Sequence, residues 1–311
     1  MGMKLIKIIS SFIVIPLFSM ASLGQVVYNQ YSINPIVINP AYSGAKEALS
    51  IIASYRQQWT NIDGAPRTLT FSAHSPILAS KSSVGLSIVT DKVGALDQTS
   101  MFASYSYKIP FEFGNLYAGL SFGGYQLRSN LGGTNLSGVQ DPVFNSGELN
   151  NWTFNAGFGL FLSDDNYYVG FSIPRMLTNI YADEADIFSI STTTQFYLTG
   201  GYVFDLGSSG MFNLKPYALL RLEPNLPYHF DLAVQAYYNN LISLGLQYRL
   251  NDATAVLFGL SFNNSIYIDY AFEVPFGSEI NASTIGSTHE IVLNYIVPWP
   301  KKDAAPGMRF F

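Results

Sequence analysis

Apolar and polar residues alternate along most of the chain after residue 47, with the period of two that is typical of β-strands. Between Ile242 and Leu250, for example, every second residue is Ile, Leu or Tyr, and the residues between them are Ser, Gly, Gln and Arg. Such segments have about 9–11 residues, the length that a tilted strand needs to cross the hydrocarbon layer of a membrane. The pattern therefore predicts an antiparallel, up-and-down transmembrane β-barrel that is apolar outside and small or polar inside.

About fourteen segments show this alternation, and an even number is expected of a bacterial barrel. The links after the even-numbered segments are short and rich in Gly, Asn, Asp, Ser or Pro, which predicts tight turns on the periplasmic side. The three long links, Leu127–Leu149, Pro174–Ile190 and Val274–Gly286, are predicted to be extracellular loops. The predicted strands are residues 48–57, 67–76, 82–91, 98–108, 114–126, 150–162, 166–174, 191–205, 211–223, 227–238, 241–250, 253–263, 265–274 and 287–297.

The start of the chain indicates export. Lys4 and Lys7 precede an apolar run that is too short for a transmembrane helix of about 20 residues, and small residues follow it up to Gly24. This order predicts a cleaved signal peptide over residues 1–24 and places the mature protein in the outer membrane. We expect residues 25–47 to be a periplasmic segment that can fill the lumen from the periplasmic end, and residues 48–297 to form the barrel. The tail, 298–311, is either untethered or a terminal aromatic signal for barrel assembly or a partner.

Composition narrows the class of protein. Charged residues make up 12% of the chain, against about a quarter in a soluble domain, which disfavours a soluble periplasmic β-sandwich. Without Lys4 and Lys7, 14 of the 16 basic residues remain against 21 acidic ones, a net charge of −7. Such a charge argues against nucleic acid as a partner. Cysteine is absent, so the chain has no disulfide and no thiolate metal ligand.

The polar residues do not form a recognisable catalytic or cofactor site. Ser72 lies two residues from His74 on one face of a predicted strand, but no pattern joins a nucleophile, a base and an oxyanion donor. We therefore expect a protein that is not an enzyme and that has no cofactor or metal. The charges predicted to face the lumen should pair across it, because an unpaired charge is costly there. They are Arg56, Lys108, Arg221, Asp231, Arg249, Asp269 and Glu290.

Several motifs stand apart from the alternation. Two Asn-Pro pairs five residues apart, each predicting a tight turn, lead into Ala-Tyr-Ser-Gly before the first strand. With the blocks Tyr55–Pro76, Ser83–Gly94 and Thr288–Val292, they make the chain resemble the PorP/SprF family of type IX secretion system membrane proteins of Bacteroidota. The residues that match the family motif are Gln30, Tyr31, Asn34, Pro35, Asn39, Pro40, Ala41, Tyr42, Gly44, Arg56, Gln58, Trp59, Gly64, Ala65, Pro66, His74, Pro76, His289 and Glu290.

The resemblance implies a function in protein secretion. Proteins of this family are helper barrels, each working with a large secreted surface protein, often an adhesin linked to gliding motility. The implied partners are the C-terminal domain of such a protein, other type IX secretion components and outer-membrane lipid. The alternative is a channel for small, possibly apolar, solutes, which would need a continuous lumen and a movable segment over residues 25–47.

Overall fold

The computed structural model of the chain describes residues 29–77, 80–129, 149–182, 189–206, 211–224, 226–276 and 282–298. The predicted signal peptide, residues 1–24, therefore lies outside the described residues, as do residues 299–311 of the tail. The same holds for the central parts of the three long links, at 130–148, 183–188 and 277–281.

The described residues form a closed antiparallel barrel of fourteen strands, as the alternation predicts. Barrel strands that are consecutive in sequence pair with each other, including 196–202 with 212–222. The first strand, 48–57, pairs with the last, 288–298, and so closes the ring. The barrel strands are β1 (Ala48–Gln57), β2 (Arg67–Pro76), β3 (Ser82–Val93), β4 (Leu96–Phe111), β5 (Gly114–Ser129), β6 (Leu149–Ser163), β7 (Tyr167–Ile173), β10 (Phe196–Tyr202), β12 (Phe212–Leu222), β13 (His229–Tyr238), β14 (Ile242–Arg249), β15 (Ala253–Phe262), β16 (Ile266–Pro275) and β17 (Thr288–Pro298).

Three short elements were not expected from the alternation. A hairpin of β8 (Asn179–Ala182) and β9 (Ser189–Thr192) occupies part of the link after β7. The predicted strand over 191–205 therefore begins later, with β10, and continues after a break as β11 (Phe204–Leu206). A single helical turn, α1 (Ala282–Ile285), precedes β17. Each lies in or beside a link, where pairing depends on neighbouring strands and not on a repeating local pattern.

The two faces of each strand differ as predicted. On β14, Leu244 and Leu246 are 59% and 58% exposed on the outer surface, whereas Ser243 and Gln247 are buried inside. The outer apolar side chains have no protein partner because they meet lipid. Among the described residues, no helix is both long and apolar enough to span a membrane.

The two ends of the barrel differ in their links. At one end, here called the short-turn end, two of the tight turns place consecutive asparagines in the left-handed region: Asn239 and Asn240 (φ 48° and 54°) and Asn263 and Asn264 (φ 52° and 54°). Asparagine tolerates this conformation, which suits a two-residue hairpin turn. The opposite end, the long-loop end, carries the three long links. This asymmetry is that of outer-membrane barrels, in which the long loops face the cell exterior.

Aromatic side chains mark both membrane boundaries on the outer surface. Near the short-turn end, Phe111 stacks on Phe113 with ring centroids 5.3 Å apart, and Phe212 packs beside Tyr238. Near the long-loop end, Trp152 is 54% exposed on β6. Aromatic girdles of this kind flank the apolar band of transmembrane barrels. The protein is therefore an outer-membrane protein.

Candidate functional site: the plugged lumen

The lumen is occupied by residues 29–47, here called the plug. Two short 3-10 helices, Pro35–Val37 and Pro40–Gly44, follow the two Asn-Pro pairs, as the turn chemistry predicts. The Asn39 side chain accepts a hydrogen bond from the Ala41 amide at 3.0 Å and so caps the second helix. Asn34 makes no such cap: its side-chain oxygen accepts a hydrogen bond from the Ser72 hydroxyl at 2.8 Å. The second pair therefore shapes the plug, and the first also holds it to the wall.

Glycines in the barrel wall make room for the plug. A Cβ added to Gly119 would lie 2.4 Å from the Cα of Ala41, and one added to Gly159 would lie 2.0 Å from the Asn39 side-chain oxygen. Gly85 is equally close to the plug, because its added Cβ would lie 2.4 Å from the end of Ile36. Real Cβ atoms do not approach backbone atoms so closely, so Gly119 admits the plug only as glycine. At Gly85 and Gly159 the nearest atoms belong to the Ile36 and Asn39 side chains, which a Cβ would force to move.

Hydrogen bonds fix the plug along its length. His74 Nδ1 donates to the Ser43 carbonyl at 3.0 Å, Ser172 donates to the Ile38 carbonyl at 2.6 Å, and Asn39 donates to the Leu160 carbonyl at 3.0 Å. The first two bonds satisfy plug carbonyls, which lie outside any strand, and the third ties Asn39 to strand β6. His74 and Ser72 therefore hold the plug, each at a different plug residue, and do not form a pair with each other.

The wall surface that receives the plug, including Gly85, Gly119, Gly159 and His74, is here called the seat. Tyr42 of the plug lies at its centre. Its ring packs edge-on against the His74 ring at 5.4 Å and against the Phe161 ring at 5.3 Å. Edge-to-face contacts of this kind add to the stabilisation from burial alone. Burial raises the pKa of Tyr42 above its usual range, so the phenol stays neutral.

A cluster of buried charges lies at the long-loop end of the lumen. Glu273 joins two arginines: it accepts from Arg56 at 3.1 Å and from Arg249 at 3.0 Å. Arg249 also pairs with Asp231 at 3.1 Å, and the Arg56 Nε lies 3.6 Å from Glu290. These five side chains are here called the charge cluster. Four of the predicted lumen charges are thus paired, but along one side of the wall, between strands β13 and β1, and not across the lumen. Desolvated charges are stable only when paired and hydrogen-bonded.

The first described residue of the plug is tied into this cluster. The Asn29 backbone N–H donates to Glu290 at 2.8 Å, and its side-chain oxygen accepts from Arg249 at 3.0 Å. The neighbouring Tyr31 is buried and packs edge-on against Tyr217 at 5.6 Å. Gln30 is also buried, at 3% exposure. The start of the plug is therefore held at the long-loop end of the barrel.

The last residues of the plug lie at the other end. Glu47 forms an ion pair with Lys108, near the short-turn end of β4. Lys46 is partly buried, with its ammonium 5.9 Å from the centre of the Tyr267 ring. Burial lowers the pKa of Lys46 from 10.5 to about 8, and attraction to Asp269 opposes this shift only in part. The plug thus runs the length of the lumen, from the long-loop end at Asn29 to the short-turn end at Glu47.

The motif residues between β1 and β2 form a compact loop at the long-loop end. The backbone N–H of Gln58 donates to the Pro66 carbonyl at 2.9 Å and closes the loop, and Ala65 is buried inside it. Trp59 (φ 47°) and Gly64 (φ 74°) have left-handed backbones that turn the chain.

His289, by contrast, lies apart from the lumen cluster. Its ring forms hydrogen bonds with the hydroxyls of Tyr270, at 2.6 Å, and Ser287, at 3.0 Å.

The remaining predicted residue, Pro76, ends β2, where its missing N–H removes no hydrogen bond from the sheet. The predicted residues thus separate into plug, seat, charge cluster and surface loop. Within the described part of the chain, no group of three or more potential ligands could hold a metal ion.

Sequence reasoning missed two kinds of residue in this site. The first kind is Glu273, a member of the charge cluster, and Asn29, which is bonded to that cluster. The alternation does put Glu273 on the inner face of β16. The seat glycines, Gly85, Gly119 and Gly159, carried the only local signal available, which is glycine at inward positions of long strands. Their role depends on which plug residue lies opposite, and no local pattern reports that.

Comparison with known proteins gives a family. The sequence matches the family model described as "Type IX secretion system membrane protein PorP/SprF" over residues 21–295. No match was found among curated proteins.

Solved structures with a similar fold share little sequence. The outer membrane protein Omp33 of Acinetobacter baumannii is 9% identical, with a TM-score of 0.49 over 82% of this chain and 100% of that one. The toluene transporter TodX of P. putida is 10% identical, with a TM-score of 0.48 over 85% and 93% of the two chains. A FadL homologue of Pseudomonas aeruginosa is 12% identical, with a TM-score of 0.47 over 85% and 93%.

Proposed function

Because the chain belongs to the PorP/SprF family of type IX secretion system membrane proteins, we propose that it is a non-enzymatic helper barrel for one large secreted surface protein. It binds the C-terminal domain of that protein and holds or delivers it at the cell surface. The partner is of the adhesin or gliding type, and other secretion components complete the assembly. The work is binding, and no bond is made or broken.

The observation that carries this proposal is the filled lumen. The plug is bonded to the wall at both ends and in its middle, through Asn29, Asn39 and Glu47. It also packs against wall glycines at which an added Cβ would clash with it. A channel for small solutes would need this segment to move, which would expose the charge cluster and break the bonds along the seat. The packing therefore favours a binding function over a channel.

The partner is expected to meet the barrel at the long-loop end. The predicted loops Leu127–Leu149, Pro174–Ile190 and Val274–Gly286 all belong to that end, and loops carry binding residues more often than the strands that support them. Strands β4 and β5 have 16 residues each, more than a membrane crossing needs, so they raise this part of the rim above the membrane. Lys92 and Asp97 form an exposed ion pair there, at 3.2 Å.

Affinity purification tests the proposal. The chain, carrying a tag on the tail, is extracted from its own cells with a mild detergent, and copurifying proteins are identified by mass spectrometry. We expect one large exported protein, with peptides of its C-terminal domain enriched. A barrel that comes out alone, even after crosslinking, contradicts the proposal.

A matched pair of variants locates the contact. Replacing residues 130–148 with a short Gly/Ser linker should remove the partner. The control is Asn263→Gly at the short-turn end, where the positive φ of 52° suits glycine and the turn is kept. Both variants must show the heat-dependent gel mobility of a folded barrel. Loss of the partner from the control and not from the loop variant contradicts the assigned surface.

A further inference from the structure

A pocket lies between the plug and the inner face of strands β3 to β5. Its floor is formed by Ile36, Val37 and Pro40 of the plug, and its empty volume, part of which is open solvent, is about 540 Å³. Pro174 and Arg175 directly follow β7 and line the pocket at the long-loop end. The pocket is thus on the side of the barrel that faces the cell exterior.

The walls combine apolar surface with hydroxyl groups. Val89, Phe102 and Tyr125 supply the apolar part. Ser87 and Ser121 also line the pocket, and neither hydroxyl has a hydrogen-bond partner in the part of the chain that the structure describes. A ligand site of this kind, mostly apolar with a few polar groups, binds small or narrow groups in a fixed orientation.

Arg175 gives the pocket a positive charge, which the Asp91 carboxylate on β3 attracts without forming an ion pair with it. Its guanidinium lies over the Tyr125 ring, 4.2 Å from the centre, and forms no ion pair with any described carboxylate. Its Nε is buried and has no hydrogen-bond partner among the described residues. The arginines of the charge cluster differ, because Arg56 and Arg249 are both paired. A partly buried guanidinium with free donors is a binding site for an anion.

No carboxylate in the described part of the chain forms an ion pair at this position. Asp91 lies on the same wall, two residues from Val89, but it accepts a hydrogen bond from Thr68 at 2.7 Å. It makes no ion pair with Arg175 within the described residues. Among the described residues, this position is therefore open to an anion.

We propose that this pocket takes the free α-carboxylate of an apolar C-terminal residue, supplied by the secreted partner. An α-carboxylate can accept two parallel hydrogen bonds from the guanidinium of Arg175. The apolar side chain next to it then meets Val89 and Phe102. An acidic side chain would supply the negative charge without the apolar group beside it. A folded domain is too wide to enter the barrel, so we expect only its chain end to reach the pocket inside the lumen. This inference rests on the proposed function, since it assumes a protein partner at the long-loop end.

Direct binding to the purified, detergent-solubilised chain tests this site without the partner. Isothermal titration calorimetry compares N-acetyl-phenylalanine, which has a free α-carboxylate, with its amide and with N-acetyl-aspartate α-amide, which has a side-chain carboxylate. We expect the first probe to bind and the other two to bind at least about tenfold more weakly. Arg175→Gln should abolish the preference for the free acid. The matched control is Arg128→Gln, an exposed arginine on the outer face of β5.

The outcomes separate the two proposals. Equal binding of acid and amide overturns the role of Arg175, and equal binding of the aspartate probe overturns the chain end as the ligand. If no probe binds, the pocket is not this site, whereas copurification of a secreted partner would still support the proposed function. If Arg175→Gln abolishes probe binding but copurification fails with the wild-type chain, the site stands and the helper function does not. Heat-dependent gel mobility confirms that each variant is folded.

Discussion

The Asn29 amide donates a 2.8 Å hydrogen bond to the Glu290 carboxylate, across 261 positions of sequence. This bond joins the first described residue of the plug to the last strand of the barrel. Glu290 also lies beside Arg56, so the start of the plug shares the charge cluster that links β1, β14 and β16. Glu290 therefore contacts both the plug, through Asn29, and strand β1, through Arg56, at the seam where the first and last strands pair.

The charge cluster should contribute strongly to stability. In Glu273→Gln, Arg56 and Arg249 both lose their shared carboxylate while staying buried. We expect the free energy of unfolding to fall by on the order of 2–3 kcal/mol. The loss is limited because Arg56 keeps Glu290 as a neighbour and Arg249 keeps Asp231 and Asp252. Urea titration in detergent, followed by tryptophan fluorescence, measures it.

The control for this prediction is Asp97→Asn. It breaks the Lys92–Asp97 ion pair, whose side chains are 59% and 44% exposed. An exposed pair contributes less than about 1 kcal/mol, so this variant should unfold almost as the wild type does. Equal losses in the two variants would mean that burial of the cluster adds nothing.

The seat glycines should be intolerant of a methyl group. In Gly119→Ala the new Cβ would lie 2.4 Å from the backbone of Ala41, so the plug or the strand must shift. We expect a loss of about 1–3 kcal/mol in the free energy of unfolding and faster protease cleavage within the plug. Gly200→Ala is the matched control, since its Cβ would lie 3.6 Å from the nearest atom. A seat that tolerates both changes equally would contradict the tight fit.

Lys46 should make stability depend on pH. Its pKa is about 8 in the folded protein and 10.5 when exposed, so below pH 8 the folded state holds a partly desolvated charge at a cost. As pH rises from 8 to 10.5, the folded state loses this proton before the unfolded state does, and stability increases by up to about 3 kcal/mol. Lys46→Met should be more stable than the wild type at pH 7 and should show a smaller rise with pH, since it loses the part that Lys46 contributes. An unchanged pH profile in the variant would exclude Lys46 as its source.

The chain that precedes Asn29 should be accessible from outside the cell. Asn29 is held at the long-loop end by Glu290 and Arg249, so residues added before it start on the extracellular side. An epitope inserted between residues 28 and 29 should be stained by antibody on intact cells. The same epitope between Asn263 and Asn264, at the short-turn end, should need permeabilised cells. The opposite staining pattern would contradict the direction of the plug.

The strands could be predicted closely because their signal is local. A period-two pattern fixes which residues face lipid, and paired asparagines such as Asn263 and Asn264 mark the turns that join the strands. The predicted and observed bounds of β1 and β2 are identical, at 48–57 and 67–76. The Asn39-Pro40 turn was predictable for the same reason, since its cap lies two residues away.

The site itself could be predicted only in part, because its contacts are long-range. Asn34 looks like a cap in sequence but bonds to Ser72 on another element, and Gly119 shows its purpose only when Ala41 is opposite. Nothing local reveals that the plug runs from Asn29 at the long-loop end to Glu47 at the other. These relationships follow from strand register and barrel closure, which bring distant residues together.

The central claim is that the lumen is closed by the plug and that the protein acts by binding. Planar-bilayer recording of the purified chain tests it most directly, with a variant lacking residues 29–45 as the open reference. We expect no steady conductance from the wild type and a persistent pore from the variant, because removing the plug leaves a fourteen-stranded wall around a wet lumen. Steady conductance of the wild type, equal to that of the variant, would contradict the account and favour a channel.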